Sequence, residues 1–277
     1  MSERGLIIML CRNALHHSRA CLKTLQAQTA PVDILVVNNA SSDGTAAWLR
    51  AEQAKDRSIY TLSFPDVRSV AACWNWALGF AWSRGHQEAL IVNNDTEFLT
   101  ETFERLREYL HGHLYDHGMV TCVSVRERAE LEWDGTFAPR PHPDFSAFMM
   151  ARWAHKLVPF DEAYKGAYCE DCDLHVRLHR RGIKAINVGI PFLHHASGTL
   201  KDAEPEEQRR IHRCAAANRE RFRASYGCVP GDQGLRAPVR LKGMTREFLQ
   251  NIADDLAMVE LAFIALLGKH AIPCQPA

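Results

Sequence analysis

Short apolar runs alternate with helix-like segments through the first half of the chain. The runs are five to seven residues long and rich in β-branched residues and leucine, as buried strands are. They cover residues 6–11, 32–37, 58–64, 88–92 and 119–125, and segments with helical apolar spacing lie between them at residues 16–28, 46–53, 69–84 and 102–114. This alternation predicts an α/β fold with a mostly parallel central sheet flanked by helices.

The second half of the chain is less regular. Residues 130–144 are rich in proline, tryptophan and charge, which predicts a loop or edge strands. Beyond them we expect helices over residues 168–182 and 204–226, a strand over residues 185–192, a basic linker over residues 236–243 and an amphipathic helix over residues 246–267. These elements predict one domain over residues 1–227, with halves at residues 1–125 and 126–227, followed by a C-terminal helical extension over residues 228–277.

The charge balance and the cysteines narrow the class of protein. Lys and Arg together number 33, as do Asp and Glu, so a uniformly basic nucleic-acid-binding surface is not expected. Nine cysteines, an odd number spread along the chain, favour a reducing compartment over a disulfide framework. The apolar run at residues 5–11 is too short and wrongly flanked for a signal peptide, and no run reaches the ~20 residues of a membrane span. We therefore expect a cytoplasmic protein.

Polar residues follow three of the predicted strands. Arg12 and Asn13 come after the first strand, residues 38–43 after the second, and residues 93–97 after the fourth. In open α/β sheets, ligands bind in the crevice beyond the carboxyl ends of the strands. The sequence therefore predicts a ligand site at this edge of the sheet.

Several separated motifs resemble those of the inverting family-2 glycosyltransferases. They are the nucleotide loop VVNNASSDGT at residues 36–45, the metal loop NND at residues 93–95, the acceptor-side blocks at residues 160–162 and 170–182, and the late histidine loop HHASGT at residues 194–199. The NND form of the metal loop is similar to that of rhamnosyltransferase-like members. The resemblance implies a GT-A fold, which is Rossmann-like, and transfer of a sugar from a nucleotide-sugar donor, UDP- or dTDP-linked, to a hydroxyl acceptor.

The resemblance also implies which residues would hold the donor. Three parts of the sequence depart from the family pattern. Asn38 replaces an acidic residue, Asn93 replaces the first Asp of the metal loop, and residues 66–68 replace an Asn-x-Gly. Arg68 would meet a diphosphate or a sugar carboxylate there, or lie in solvent. Without any ligand, residues 38–44 also fit an Asx-rich turn. The expected donor-binding residues are Arg12, Asn13, Asn38, Asn39, Asp43, Arg68, Asn75, Asn93 and Asn94.

A divalent cation is expected from the chemistry. Breaking the anomeric C–O bond leaves negative charge on a diphosphate, which Mn²⁺ or Mg²⁺ stabilises. Asp95 would supply a carboxylate ligand and Glu97 an outer contact. The resemblance adds a late-loop histidine, His194 in preference to His195, and an imidazole ligand would favour Mn²⁺ over Mg²⁺. The alternative is that residues 95–97 cap the following helix.

Inversion requires a base on the face opposite the leaving group, to take the proton of the acceptor hydroxyl. We expect Asp171 to be that base, with Asp173 as the second choice and Glu170 beside them. Clustered carboxylates raise one another's pKa, which suits a base. Arg177, one turn further along, would orient one of these carboxylates. The same acids would also stabilise the start of a helix through its dipole.

The acceptor is harder to infer from the sequence. The basic segments at residues 209–223 and 236–242 would approach an anionic lipid carrier, which would place the enzyme at the inner face of the membrane. They would equally contact nucleic acid, as in an enzyme that glycosylates modified phage-type DNA. A third alternative, suggested by Asn38 and Asn93, is a nucleotide-sugar binding module that has lost activity. The terminal helix would pack on its own domain or form a homodimer contact.

Overall fold

An eight-stranded sheet flanked by helices forms the centre of the protein. The computed structural model describes residues 4–140, 142–195 and 198–231. The strands are β1 (Gly5–Cys11), β2 (Val32–Asn39), β3 (Ile59–Phe64), β4 (Glu88–Asn93), β5 (Thr96–Phe98), β6 (His117–Val125), β7 (Ala147–Ala151) and β8 (Lys184–His194). The predicted α/β class is confirmed. The basic linker and terminal helix predicted over residues 236–267 lie outside the described residues.

The helices lie between the strands, as the alternation predicts. They are α1 (Leu15–Gln26), α2 (Thr45–Lys55), α3 (Val70–Ser83), α4 (Thr102–Gly112), α5 (Arg152–Leu157), α6 (Glu170–Arg180), α7 (Gly198–Lys201) and α8 (Pro205–Tyr226). Local sequence explains several of their ends. The Ser69 hydroxyl caps α3 by accepting from the amide of Ala72, and α8 begins at a proline and ends before Gly227, whose φ is 73°.

The order of the strands brings the predicted polar clusters together. The order is β3-β2-β1-β4-β7-β6-β8-β5, in which β3, β2, β1 and β4 are parallel and β7 runs antiparallel to both of its neighbours. Cys11 at the end of β1 pairs with Asn38, and Leu10 pairs with Asn93. The residues that follow β1, β2 and β4 therefore meet at one edge of the sheet. All seven residues of β1 are buried, which places this edge on a rigid core.

The short strand β5 was not predicted. It runs antiparallel to the end of β8, with Thr96 opposite His194 and Glu97 opposite Leu193. The alternative in which residues 95–97 cap the following helix is wrong, because they lead into this strand and α4 begins only at Thr102. The pairing also extends β8 to His194, two residues beyond the predicted end. As a result, Asp95 and His194 lie side by side.

Among the residues that the structure describes, no helix is both long enough and apolar enough to cross a lipid bilayer.

Candidate functional site

A cavity of about 960 Å³ lies at the carboxyl ends of β1, β2 and β4. This volume is at the upper end of the range of ligand sites, roughly 300–1,000 Å³. Nine of the predicted site residues line it: Arg12, Asn39, Arg68, Asn93, Asn94, Asp95, Glu170, Asp171 and His194. The structure therefore brings residues from the metal loop, the acidic helix and the late histidine loop to one cavity.

Asp95 and His194 form an acid–imidazole pair in the wall of this cavity. Asp95 is only 5% exposed, and its Oδ1 lies 3.6 Å from Nε2 of His194. That distance is longer than a hydrogen bond. The backbone oxygen of Asp95 accepts from the amide of His195 at 2.9 Å, which holds the two segments in register. A carboxylate oxygen and an imidazole nitrogen at this spacing could share a divalent cation.

Glu97 and His195 lie outside the cavity lining. Oε1 of Glu97 is 2.9 Å from Nε2 of His195, and Oε2 accepts from Arg128 at 2.6 Å. Burial raises the pKa of the Glu97 carboxyl, but the hydrogen bonds from Arg128 and His195 outweigh burial and the pKa is lowered. Glu97 therefore belongs to an ion-pair network, while Asp95 and His194 line the cavity.

The side chains of Asn38 and Asn13 hold the nucleotide loop in shape by hydrogen bonding to its backbone. Asn38 is 1% exposed; its Oδ1 accepts from the amide of Ser41 and its Nδ2 donates to Ser63. Oδ1 of Asn13 accepts from the amide of Ser42. These contacts are those of the Asx-rich turn. Neither asparagine is among the residues lining the cavity.

The Asp43 carboxylate caps the first turns of two helices, α1 and α2. One oxygen accepts from the amide of Leu15, the first residue of α1, and the other accepts from the amide of Thr45, the first residue of α2. These amides have no partner within their own helices, so the carboxylate supplies one. Asp43 therefore fixes the loop against both helices rather than lining the cavity.

Asn39 positions Arg68. The Asn39 amide donates to the carbonyl of Arg68 at 2.9 Å and accepts from the Arg68 amide at 2.8 Å. The Arg68 guanidinium lies 4.2 Å from the centre of the Phe64 ring, a cation–π distance. Both residues line the cavity. The exposed guanidinium of Arg68 therefore lies at the cavity, and two hydrogen bonds with the Asn39 side chain hold the Arg68 backbone in place.

Arg12 links the nucleotide loop to α8. Its Nη1 donates to the carbonyls of Asn39 and Ala40, and its Nε donates to Glu207 at 2.8 Å. Hydrogen bonds from Arg210 and Arg12 lower the pKa of Glu207 to about 2 in spite of its partial burial. Glu207 and Arg210 also line the cavity, and the sequence did not single them out. Nothing local in a mixed acidic and basic helix distinguishes them from a solvated face.

Asn75 binds a backbone segment rather than lining the cavity. Its Oδ1 accepts from the amide of Phe160, and its Nδ2 donates to the Phe160 carbonyl and to Glu162. Oδ1 also lies 3.0 Å from Nε2 of His155. Asn75 therefore ties α3 to the segment that leads toward α6.

Asp171 and Glu170 begin α6 at the cavity. Burial raises the pKa of both carboxyls, and the Asp171 charge adds to the effect at Glu170, whose pKa rises to about 8. The two preceding residues, Tyr168 and Cys169, have φ values of 77° and 74°. Positive φ is costly for residues other than glycine and tends to occur at functional sites. The helix start thus carries raised carboxyl pKa values on a strained backbone, an arrangement suited to a base.

Asp173 and Arg177 form a buried network away from the cavity lining. Asp173 is 3% exposed; its Oδ2 accepts from Arg177 at 2.6 Å, and its Oδ1 accepts from Tyr226 at 2.5 Å and from Tyr164 at 3.4 Å. Arg177 therefore pairs with Asp173 and not with Asp171. The network joins α6 to α8.

Other residues that line the cavity were not predicted either, among them Asp144, His142 and His175. Oδ1 of Asp144 accepts from the amide of Ser146. Burial lowers the pKa of His175 to about 4, so the ring is neutral at physiological pH. Asp144 and His142 lie in the irregular proline-rich segment, where no periodicity separates a cavity residue from a loop residue.

The backbone before α6 is held by a buried asparagine of α8. The amide nitrogen of Asn218 donates to the carbonyls of Lys165, Ala167 and Tyr168, and its oxygen accepts from the amide of Lys165.

We expect Asn218→Ala to lower the free energy of unfolding by about 2–4 kcal/mol, because it leaves buried carbonyls without donors. Chemical denaturation measures this. Ser225→Ala, exposed on the same helix, should change it by less than about 0.5 kcal/mol, and equal effects would contradict the role.

The raised pKa of Glu170 predicts a pH-dependent stability. Between the unfolded value of about 4.3 and the native value of about 8, native Glu170 retains a proton that the unfolded chain releases. Stability should therefore fall as pH rises through this window. Glu170→Gln cannot ionise, so we expect it to raise the Tm by about 4 °C or more at pH 8 and by little near pH 4.5. Scanning calorimetry at both pH values measures this, and an unchanged Tm at pH 8 would contradict it.

Comparison with known sequences finds relatives of one kind. A family model described as Glycosyl transferase family 2 matches residues 6–168. The undecaprenyl-phosphate mannosyltransferase of Micrococcus luteus is 25% identical over 213 residues, which cover 72% of this chain and 87% of that protein. The family match at residues 6–168 includes the nucleotide loop and the metal loop.

Comparison with solved structures gives the same fold. The mannosyltransferase PcManGT from Pyrobaculum calidifontis, in complex with GDP-Man and Mn²⁺, matches with a TM-score of 0.56 and 17% identity over 83% of this chain and 78% of that chain. A fragment of S. aureus TarS in complex with UDP matches with a TM-score of 0.55 and 15% identity over 78% of this chain and 65% of that chain. The mainly parallel sheet with flanking helices is thus similar to GT-A structures, and the predicted fold is confirmed.

Proposed function

The chain belongs to glycosyl transferase family 2, and from this premise we propose that it moves a sugar from a nucleotide-sugar donor to an acceptor with inversion at the anomeric carbon. The observation that carries the proposal is one cavity lined by Asp95, His194 and Asp171. It combines an acid–imidazole pair suited to a cation with a carboxyl suited to a base. The alternatives of a DNA-directed enzyme and a degenerate binding module are not favoured by the relatives found.

Asp95 and His194 would hold the cation. When bound, a divalent cation offsets the charge that develops on the leaving diphosphate. The imidazole nitrogen favours Mn²⁺ over Mg²⁺, and the PcManGT complex with Mn²⁺ supports this choice. Glu97 would act at most through His195, since its carboxylate is engaged by His195 and Arg128.

The donor would lie against the strand ends. Arg68 and Asn93 line the cavity and would contact its polar groups, while Asn38, Asn13 and Asp43 would act by holding the loop in shape. The family resemblance implies a UDP- or dTDP-linked donor. Among the relatives, TarS carries UDP and PcManGT carries GDP-Man, so GDP joins the candidates.

Asp171 would take the proton of the acceptor. Its raised pKa means that the carboxylate holds a proton strongly once it has received it, which is the requirement for a general base. Asp173 would position α6 through Arg177 and Tyr226 rather than react. The rhamnosyltransferase-like branch, suggested by Asn93, stays a prediction.

A lipid-linked acceptor is favoured for this enzyme. The relative from Micrococcus luteus is named for undecaprenyl phosphate. Basic side chains on α8, among them Arg209, Arg213 and Arg223, are exposed and would face an anionic surface. We therefore propose that the enzyme works in the cytoplasm, at the inner face of the membrane. Among the described residues, no helix could span that membrane.

A thermal-shift panel tests the proposal. The full chain is heated with UDP, dTDP, GDP or CDP, each with Mn²⁺ or with a chelator. A ligand at 100 times its Kd adds about 2.7 kcal/mol of stability, which raises the Tm by roughly 5–10 °C. We expect one diphosphate to stabilise the protein, and to do so only with Mn²⁺. If none of the four does, the proposed function fails.

A further inference from the structure

A second group of metal-ligating side chains lies outside the cavity lining. His16 and His17, in the first turn of α1, face Asp202, which follows α7. Their Nε2 atoms lie 3.4 Å and 3.6 Å from the same oxygen, Oδ2 of Asp202. One ligand atom from each residue lies within 4.8 Å of the other two. Within the described ranges, no other three His, Cys, Asp or Glu residues are grouped in this way.

The spacing fits ligands that share one cation better than it fits hydrogen bonds. Hydrogen bonds between nitrogen and oxygen are about 2.7–3.2 Å long. Zinc binds imidazole nitrogen and carboxylate oxygen at about 2.0–2.2 Å, so two ligands of a tetrahedral site are roughly 3.3–3.6 Å apart. Both distances to Asp202 fall in this range. The His16 and His17 rings are 4.0 Å apart at their centres, so the two imidazoles lie side by side next to Asp202.

Neighbouring contacts fix the turn that carries Asp202 and lie against the His17 ring. The Gln208 amide donates to the carbonyls of Leu200, Lys201 and Ala203, which fixes the turn that carries Asp202. On the other side, the His17 ring lies 4.9 Å from the ring of His195. The side chains of His16 and Asp202 are 67% and 45% exposed, so an ion can enter from solvent.

We propose that His16, His17 and Asp202 form a second cation site, selective for zinc-type ions over Mg²⁺ and Mn²⁺. Two imidazoles and one carboxylate suit Zn²⁺, and three protein ligands leave a fourth position for water. The ion would tie α1 to the turn after α7. Because Leu200 of α7 lines the cavity, this link would restrain one wall of it.

Metal titration of the untagged full chain tests the site. Co²⁺ reports tetrahedral coordination through its visible absorption, and Zn²⁺ affinity is measured by competition with a chromophoric chelator. We expect wild type to bind one Zn²⁺ tightly per chain. In Asp202→Asn and in His16→Gln the affinity should fall by at least about 10- to 100-fold, which is the loss seen when a supporting residue of a metal site is removed. Both residues are exposed, so the variants should fold. His212→Gln, which removes an exposed imidazole elsewhere, should leave the affinity unchanged.

Two results would overturn the proposal. The first is an equal Zn²⁺ affinity in wild type, Asp202→Asn and His16→Gln. The second is Zn²⁺ binding that is lost in Asp95→Asn but kept in Asp202→Asn, which would assign the ion to the Asp95–His194 pair. Since the titration needs neither donor nor acceptor, its result does not depend on the proposed transferase reaction.

Discussion

Asp95→Asn is expected to lower kcat/KM by roughly 10³-fold, because a carboxylate that holds a divalent cation controls several kcal/mol of charge stabilisation in the transition state. The substitution keeps the size of the side chain and removes only its charge. Asp95 is nearly buried in the cavity wall beside His194, while the nearby Glu97 carboxylate is engaged by Arg128 and His195. Transfer from the identified donor, assayed over a range of Mn²⁺ concentrations, measures the loss.

Glu97→Gln is the matched comparison for Asp95. It removes one charge two residues further along the chain, in β5, where Glu97 is engaged by Arg128 and His195 outside the cavity lining. We expect a much smaller loss, about tenfold or less, with an unchanged Mn²⁺ requirement. If Glu97→Gln lost activity as Asp95→Asn does, or if Asp95→Asn remained active, the assignment of the cation ligands would be incorrect.

Asp171→Asn is expected to lower kcat by about 10²–10⁴-fold, the usual contribution of a general base. Binding of the nucleoside diphosphate should be retained, because the change affects the acceptor side of the cavity. In wild type, the raised pKa of Asp171 predicts that kcat increases as pH rises through that pKa, and Asp171→Asn should lose this dependence. Steady-state rates over pH, with donor affinity measured in parallel, test both parts.

Asp173→Asn separates the base from its structural neighbour. Both Asp173 oxygens are engaged by Arg177 and two tyrosines, so Asp173→Asn should lower the Tm. In the protein that remains folded, it should lower kcat by less than Asp171→Asn does. The opposite pattern, with turnover lost in Asp173→Asn and kept in Asp171→Asn, would make Asp173 the base.

The sheet and the convergence of its strand ends could be predicted because both follow from local patterns. Apolar runs give the strands, and parallel pairing then places the residues after β1, β2 and β4 at one edge. The strand β5 could not be predicted in this way. It has only three residues, and it exists because it pairs with β8, more than 90 residues later in the chain.

The motifs located the site better than they assigned its residues. A motif specifies positions along the chain but not which side chains face a ligand. Asn38, Asp43 and Asn75 occupy motif positions, yet their side chains bind the backbone of the loop or of a neighbouring segment. Glu207 and Arg210 were missed for the opposite reason, since long-range contacts, among them the one with Arg12, bring α8 to the cavity wall.

Calorimetric titration of the preferred nucleoside diphosphate tests the central claim most directly, because it isolates the cation-dependent donor site from the acceptor. Wild type and Asp95→Asn are each titrated in Mn²⁺ and in a chelator. We expect Mn²⁺ to tighten binding to wild type by at least about tenfold and to have little effect on Asp95→Asn. Equal affinity with and without Mn²⁺ in wild type, or an undiminished Mn²⁺ effect in Asp95→Asn, would contradict it.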